Sequence, residues 1–90
     1  MATEKRRLPP DGTYVIATVP ASYEYDRAAY EIRGRLRLRH VAAFGGYTQC
    51  YVDGMQVDAK TIRPEDPNLN SEDWQTYSVT VWDDDEEETD

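Results

Sequence analysis

Ninety residues with a formal net charge of -8 make one small domain, and a chain of that length buries only a little over ~60% of the surface its unfolded form exposes, which argues against a large active-site cleft. Hydrophobic residues supply 39% of the chain and include seven Tyr, two Trp and one Phe, enough for one core and too much for disorder throughout. The single cysteine, Cys50, excludes an internal disulfide and a multi-thiol metal site, and it fits a reducing compartment.

The opening "MATEKRRLPPDG" carries charges but no apolar h-region, so no standard secretory signal is expected. Pro9 and Pro10 cannot donate ladder bonds and Asp11-Gly12 suits a turn, so residues 1–12 read as a flexible basic arm. "TYVIATV", Thr13 to Val19, is β-branched and aromatic with apolar residues on both faces. It predicts a strand covered on both sides and ended by Pro20. From Tyr30 the pattern alternates strictly: Tyr30, Ile32, Gly34, Leu36 and Leu38 share one face, while Glu31, Arg33, Arg35, Arg37 and Arg39 share the other. A helix would scatter those arginines, so this is a strand.

Two turn signals follow, Gly45-Gly46 and Asp53-Gly54, and the second is the dipeptide that type I' hairpins favour. A two-residue loop at Asp53-Gly54 sets Val52 against Met55, Cys50 against Val57 and Thr48 against Ala59 on one mostly apolar face. Tyr51 then faces Gln56, and Gln49 faces Asp58, on the other. A two-residue loop at Gly45-Gly46 would instead set Leu36 and Leu38 on the face opposite Cys50, so a bulge or bend near His40 is expected. "RPEDPNLNSEDW" is a loop with room for one helical turn at Asn70 or Ser71. "WQTYSVTVW" alternates again, with Tyr77, Val79 and Val81 facing in and Trp74, Thr76, Ser78, Thr80 and Trp82 facing out.

The chain ends in "DDDEEETD", which holds seven of the eighteen acids: Asp83, Asp84, Asp85, Glu86, Glu87, Glu88 and Asp90. The remainder carries eleven acids against ten bases and is close to neutral. No apolar run is long enough to span a membrane, so a soluble chain with no membrane partner is expected. Five strands without a helix of ten residues predict an all-β fold, a small five-stranded antiparallel barrel or compact sandwich over residues 13–82, with an acidic tail over 83–90 taken as disordered.

The arginine ladder is the first candidate contact surface. Same-face residues on a strand sit roughly 6.6 to 7 Å apart, so Arg33 to Arg39 span about 20 Å. Such a row needs neighbouring acids, the chain's own acidic tail, or an external anionic partner. Guanidinium binds carboxylate or phosphate through a planar fork. Trp74 and Trp82 form either core or a sticky outer patch, and Tyr51 joins the partner-binding candidates. The tail reads as a solubilising end, an arm for a basic partner, or a mimic of a phosphate backbone.

Chemical sites find little support. His40 and Cys50 fall on opposite faces under the tight Gly-Gly pairing and lack an orienting third group. Asp66, Asn68 and Asn70 resemble the start of a calcium loop, but Ser71 and Tyr77 stand where that loop needs glycine and glutamate. No catalytic residue, metal site, cofactor or small-molecule substrate is expected. The sequence points to a non-catalytic protein-interaction module, an accessory or structural subunit of a larger assembly such as a virion-type particle. It would be intracellular or virion-associated and bind a protein partner or a second copy. The alternatives are a single-stranded nucleic-acid-binding barrel gated by its acidic tail, and an acidic inhibitor of a nucleic-acid-binding protein.

Overall fold

The structure, a computed structural model, describes residues 2–82. The predicted acidic tail lies outside the described residues. Seven strands follow in chain order: β1 (Ala2–Leu8), β2 (Tyr14–Val19), β3 (Tyr30–Val41), β4 (Tyr47–Val52), β5 (Met55–Gln56), β6 (Arg63–Pro64) and β7 (Gln75–Val81). They form one sheet in the order β1-β7-β4-β3-β2-β6, with β5 paired to β4. The sheet curls into a half-barrel, and the fold is all-β. No helix among the described residues is long and apolar enough to cross a membrane.

Two strands more than the expected five come from short or charged segments that pattern reading passes over. The largest correction is at the start. Where a flexible arm was expected, Ala2–Leu8 pairs antiparallel with β7 along its whole length, from Ala2 opposite Val81 to Leu8 opposite Gln75. Leu8 and Pro9 are buried there, and the burial of Leu8 alone offsets part of the ordering entropy by about 2 kcal/mol. The two prolines then act as an end to the strand, as their missing N–H groups require.

Alternation from Tyr30 produces β3 as expected, a twelve-residue strand whose Leu36 is buried while all four ladder arginines are exposed. The Asp53-Gly54 hairpin forms in the expected register, with Val52 opposite Met55 and Tyr51 opposite Gln56, and the Val57 N–H donates to the Cys50 carbonyl at 2.9 Å. Asp53 and Gly54 both hold positive φ, 54° and 80°, which the type I' turn demands.

The Gly45-Gly46 connection differs from expectation. A 3-10 turn over Ala43–Gly45 lengthens it, so Val41 rather than Phe44 faces Tyr47. That three-residue difference is odd, and an odd shift exchanges the faces of a strand. Leu36 therefore meets Val52, Leu38 meets Cys50 and His40 meets Thr48, all on the inner face. No face switch near His40 is needed.

The inner face is the core: Val15, Ala17 and Val19 from β2, Leu36 from β3, Cys50 and Val52 from β4, and Val79 and Val81 from β7 are buried. β2 is covered on this side only, since Tyr14 is exposed and Ile16 and Thr18 are half-buried. The expected pairing of Thr48 with Ala59 does not occur. After Val57 the chain instead enters a 3-10 turn, Ala59–Thr61, capped by buried Asp58, whose carboxylate accepts the Lys60 N–H at 3.2 Å. The Asp58 N–H donates to the Thr18 carbonyl and the Thr18 N–H to Thr61 Oγ1, each at 2.9 Å, so this turn ties the hairpin to β2.

Candidate partner-binding face

The outer face of β2, β3 and β4 is built by register. Tyr14, Ile16 and Thr18 on β2 stand opposite Arg35, Arg33 and Glu31. On the other side Tyr51 and Gln49 of β4 stand opposite Arg37 and Arg39. The ladder thus runs between a row that begins with Tyr14 and a row that contains Tyr51. Pairing to β2 holds the backbone at Arg33 and Arg35 and pairing to β4 holds it at Arg37 and Arg39, and the Asp11–Thr13 turn extends the first: the Gly12 N–H donates to the Leu36 carbonyl at 2.7 Å, and the Leu36 N–H to the Thr13 carbonyl at 2.8 Å.

Carboxylates reach the ladder from two separate segments. Asp11 lies 3.3 Å from Arg37 through Oδ2, and its Oδ1 accepts the Leu38 backbone N–H at 2.8 Å. Glu65, just past β6, lies 3.4 Å from Arg33. Glu31 is engaged elsewhere, 2.7 Å from Arg63. Exposed pairs of this kind contribute about 0 to 1 kcal/mol each. Arg35 is held differently, its guanidinium 4.9 Å from the Tyr14 ring centroid, a cation-π stack on a tyrosine that stays 53% exposed. Neither Arg35 nor Arg39 has a carboxylate partner among the described residues.

Tyr51 belongs to this surface, half-buried, with its hydroxyl donating to Gln49 Oε1 at 3.2 Å. The tryptophans do not. Trp74 sits in the turn before β7, its backbone N–H donating to the Ser71 carbonyl at 3.1 Å, and Trp82 follows the strand's end. The seven residues of β7 lie between them, so they stand at opposite ends of that strand. Thr80, expected on an outer face with them, is buried, because the turn carrying Lys60 covers that end of β7 and Lys60 Nζ donates to the Trp82 carbonyl at 2.5 Å. The seven acids of the tail lie outside the described residues.

His40 and Cys50, expected on opposite faces, share the inner face because of the register above. His40 Nδ1 lies 2.9 Å from Thr48 Oγ1. The Cys50 thiol is buried and pushed up to about 12, first by desolvation and then by the Asp58 charge, the reverse of what a nucleophile requires. Asp66 and Asn70 each accept a backbone N–H two residues on, at 3.0 and 2.9 Å, as ordinary Asx turns. No cluster of metal-ligating side chains occurs among the described residues.

Two contributors to the face were missed in the sequence. The sequence places Tyr14 on a doubly covered strand, and its position opposite Arg35 follows from a β2–β3 register that the ten-residue connection between the strands does not announce. Asp11 carries only a turn signal in the sequence, yet its carboxylate reaches Arg37 and Leu38. Comparison with protein-family models, with curated protein sequences and with solved structures gives no match.

Proposed function

We propose that this chain is a non-catalytic interaction module, an accessory or structural subunit that docks on an acidic surface of a protein partner through the outer face of β2, β3 and β4. The observation that carries this reading is the pair of arginines, Arg35 and Arg39, left without a carboxylate partner among the described residues on an exposed face although two acids engage the same row. Arginine's planar fork is pre-organised, so it loses less freedom per hydrogen bond formed, and it matches carboxylates two oxygens at a time. Tyr14 and Tyr51 add amphipathic contact area beside them, as interface tyrosines do. A multi-subunit particle of the virion type is a setting that suits so small a chain.

The test uses poly-glutamate as a carboxylate probe and single-stranded oligonucleotides as a phosphate probe against the full-length chain. The reading expects poly-glutamate to bind at low salt and Arg35→Glu with Arg37→Glu to abolish that binding. Absence of binding by the unaltered chain, or indifference to the double reversal, would reject it. Nucleic acid remains the second reading because of one feature, the exposed Tyr14 ring with Arg35 stacked on it, which is the kind of platform on which bases stack. Under that reading oligonucleotides bind more tightly than poly-glutamate, and Tyr14→Ala weakens them most.

A further inference from the structure

Beside the middle of the ladder, the turn before β2 and the loop after β6 border a cleft of about 680 Å³. Gly12 and Tyr14 line it from the turn, and Glu65, Asp66, Pro67 and Leu69 from the loop. Backbone hydrogen bonds set both walls. The Thr13 N–H donates to the Pro10 carbonyl, the Glu65 N–H to the Tyr14 carbonyl and the Leu69 N–H to the Asp66 carbonyl, each at 3.1 Å. Apart from its two chain neighbours, no atom lies within 4 Å of the point where a side chain on Gly12 would begin, so that wall stands open. A cleft formed before its ligand arrives spares the cost of ordering it.

The lining says what fits. Its large apolar side chains are open to water, Leu69 at 40% exposure and Tyr14 more so. Its two carboxylates are already engaged, Glu65 by Arg33 at 3.4 Å and Asp66 by the Asn68 N–H at 3.0 Å. The cleft therefore favours an apolar side chain over a cation. The same Tyr14 ring carries the exposed Arg35 guanidinium at 4.9 Å from its centroid, and Arg35 has no carboxylate partner among the described residues. Residues of an extended chain follow one another at about 3.3 to 3.6 Å, so the neighbours of a side chain seated against Tyr14 come beside that guanidinium.

We propose that the cleft seats one large apolar side chain of the acidic partner segment, flanked by a carboxylate that Arg35 receives. The proposal rests on the reading of the ladder as a partner face, and it narrows the partner from a run of acids to an acidic segment with an apolar anchor. Exposed ion pairs are each worth little, whereas an anchor filling a pocket beside them carries selectivity.

The experiment titrates two peptides, Glu-Glu-Phe-Glu-Glu and Glu-Glu-Ala-Glu-Glu, both acetylated and amidated at their ends, into the full-length chain at low salt. Calorimetry gives the affinities and NMR follows the Leu69 methyl resonances. The Phe peptide is expected to bind at least fivefold more tightly than the Ala peptide and to be the one that moves those methyls. Leu69 is an exposed loop residue, so Leu69→Ser should keep the fold; it should cut the Phe advantage to less than twofold and leave the Ala peptide's affinity unchanged. Equal affinity of the two peptides overturns the proposal and spares the ladder reading. No binding by either peptide overturns both. A Phe advantage that survives Leu69→Ser places the ring elsewhere and overturns the proposal alone. So does a single-stranded oligonucleotide that moves the Leu69 methyls at lower concentration than the Phe peptide, since it assigns the cleft to a base.

Discussion

Asp11 does two jobs that a pair of substitutions can separate. Its Oδ1 accepts the Leu38 backbone N–H at 2.8 Å, beyond the last paired residue of β2, and its Oδ2 lies 3.3 Å from Arg37. A hydrogen bond from a backbone N–H to a charged group contributes about 1.5 to 3 kcal/mol, and solvent access at this exposed site places it at the lower end. The ion pair adds about 0.5 kcal/mol or less once screening is counted. Asp11→Ala should therefore cost about 1 to 2 kcal/mol, and Asp11→Asn, which keeps an acceptor oxygen, about 0.5 kcal/mol. For a domain of this size the first corresponds to a Tm lower by about 4 to 15 °C and the second to a few degrees. Binding should move the other way. Both substitutions release Arg37, so both should tighten poly-glutamate binding about two- to fivefold, by the energy of the lost pair. Calorimetry and a titration at two salt concentrations measure the two effects. If Asp11→Asn destabilises as much as Asp11→Ala, or if neither changes the affinity, the division of labour argued for this carboxylate is wrong.

Three further outcomes follow from the core and the hairpin. Leu36 is fully buried at the centre of the curled sheet, so Leu36→Ala should lose about 2 to 5 kcal/mol, read as a lower urea midpoint. Gly54 holds φ of 80°, where a Cβ is strained, so Gly54→Ala should cost about 1 to 2 kcal/mol, whereas Asp53→Asn at the same turn should be nearly neutral. Cys50 should resist alkylation at neutral pH until the chain unfolds. Because burial raises its thiol from 9.0 to about 12, the folded state holds the proton that the unfolded state releases first. The associated stability is complete below pH 9 and is lost as the pH climbs toward 12, by about 4 kcal/mol in all. Cys50→Ala should lack that part of the alkaline slope in denaturation curves.

What could be read from the chain was whatever the period of two exposes. The alternation over Tyr30 to Arg39 and the Asp53-Gly54 dipeptide each fix a local geometry that tertiary context does not override, and both stand as expected. The start of the chain was illegible because its strand is held by a partner 70 residues away. "ATEKRRL" has no alternation of its own, and β7 supplies the ladder that orders it. The Gly45-Gly46 turn misled for a different reason. Two glycines fit a two-residue loop, yet both hold positive φ at the end of a 3-10 turn instead, and the parity of the loop decides every face on β3 relative to β4.

The acids beside the ladder explain why a chain of negative net charge builds it, and they also rank its rungs. Asp11 and Glu65 engage Arg37 and Arg33, two positions about 13 Å apart along the strand. The alternate pair, Arg35 and Arg39, has the same spacing and no carboxylate among the described residues. An acidic partner gains little from the first pair, whose internal bonds it must displace, and most of its electrostatic energy from the second. Single reversals should therefore fall into two classes. Arg35→Glu and Arg39→Glu should each weaken poly-glutamate binding more than Arg33→Glu or Arg37→Glu, by a factor of about two to five, which is the worth of one exposed pair. Equal losses at all four positions would mean that the ladder acts as a smeared field and that the position of the acids beside it carries no specificity.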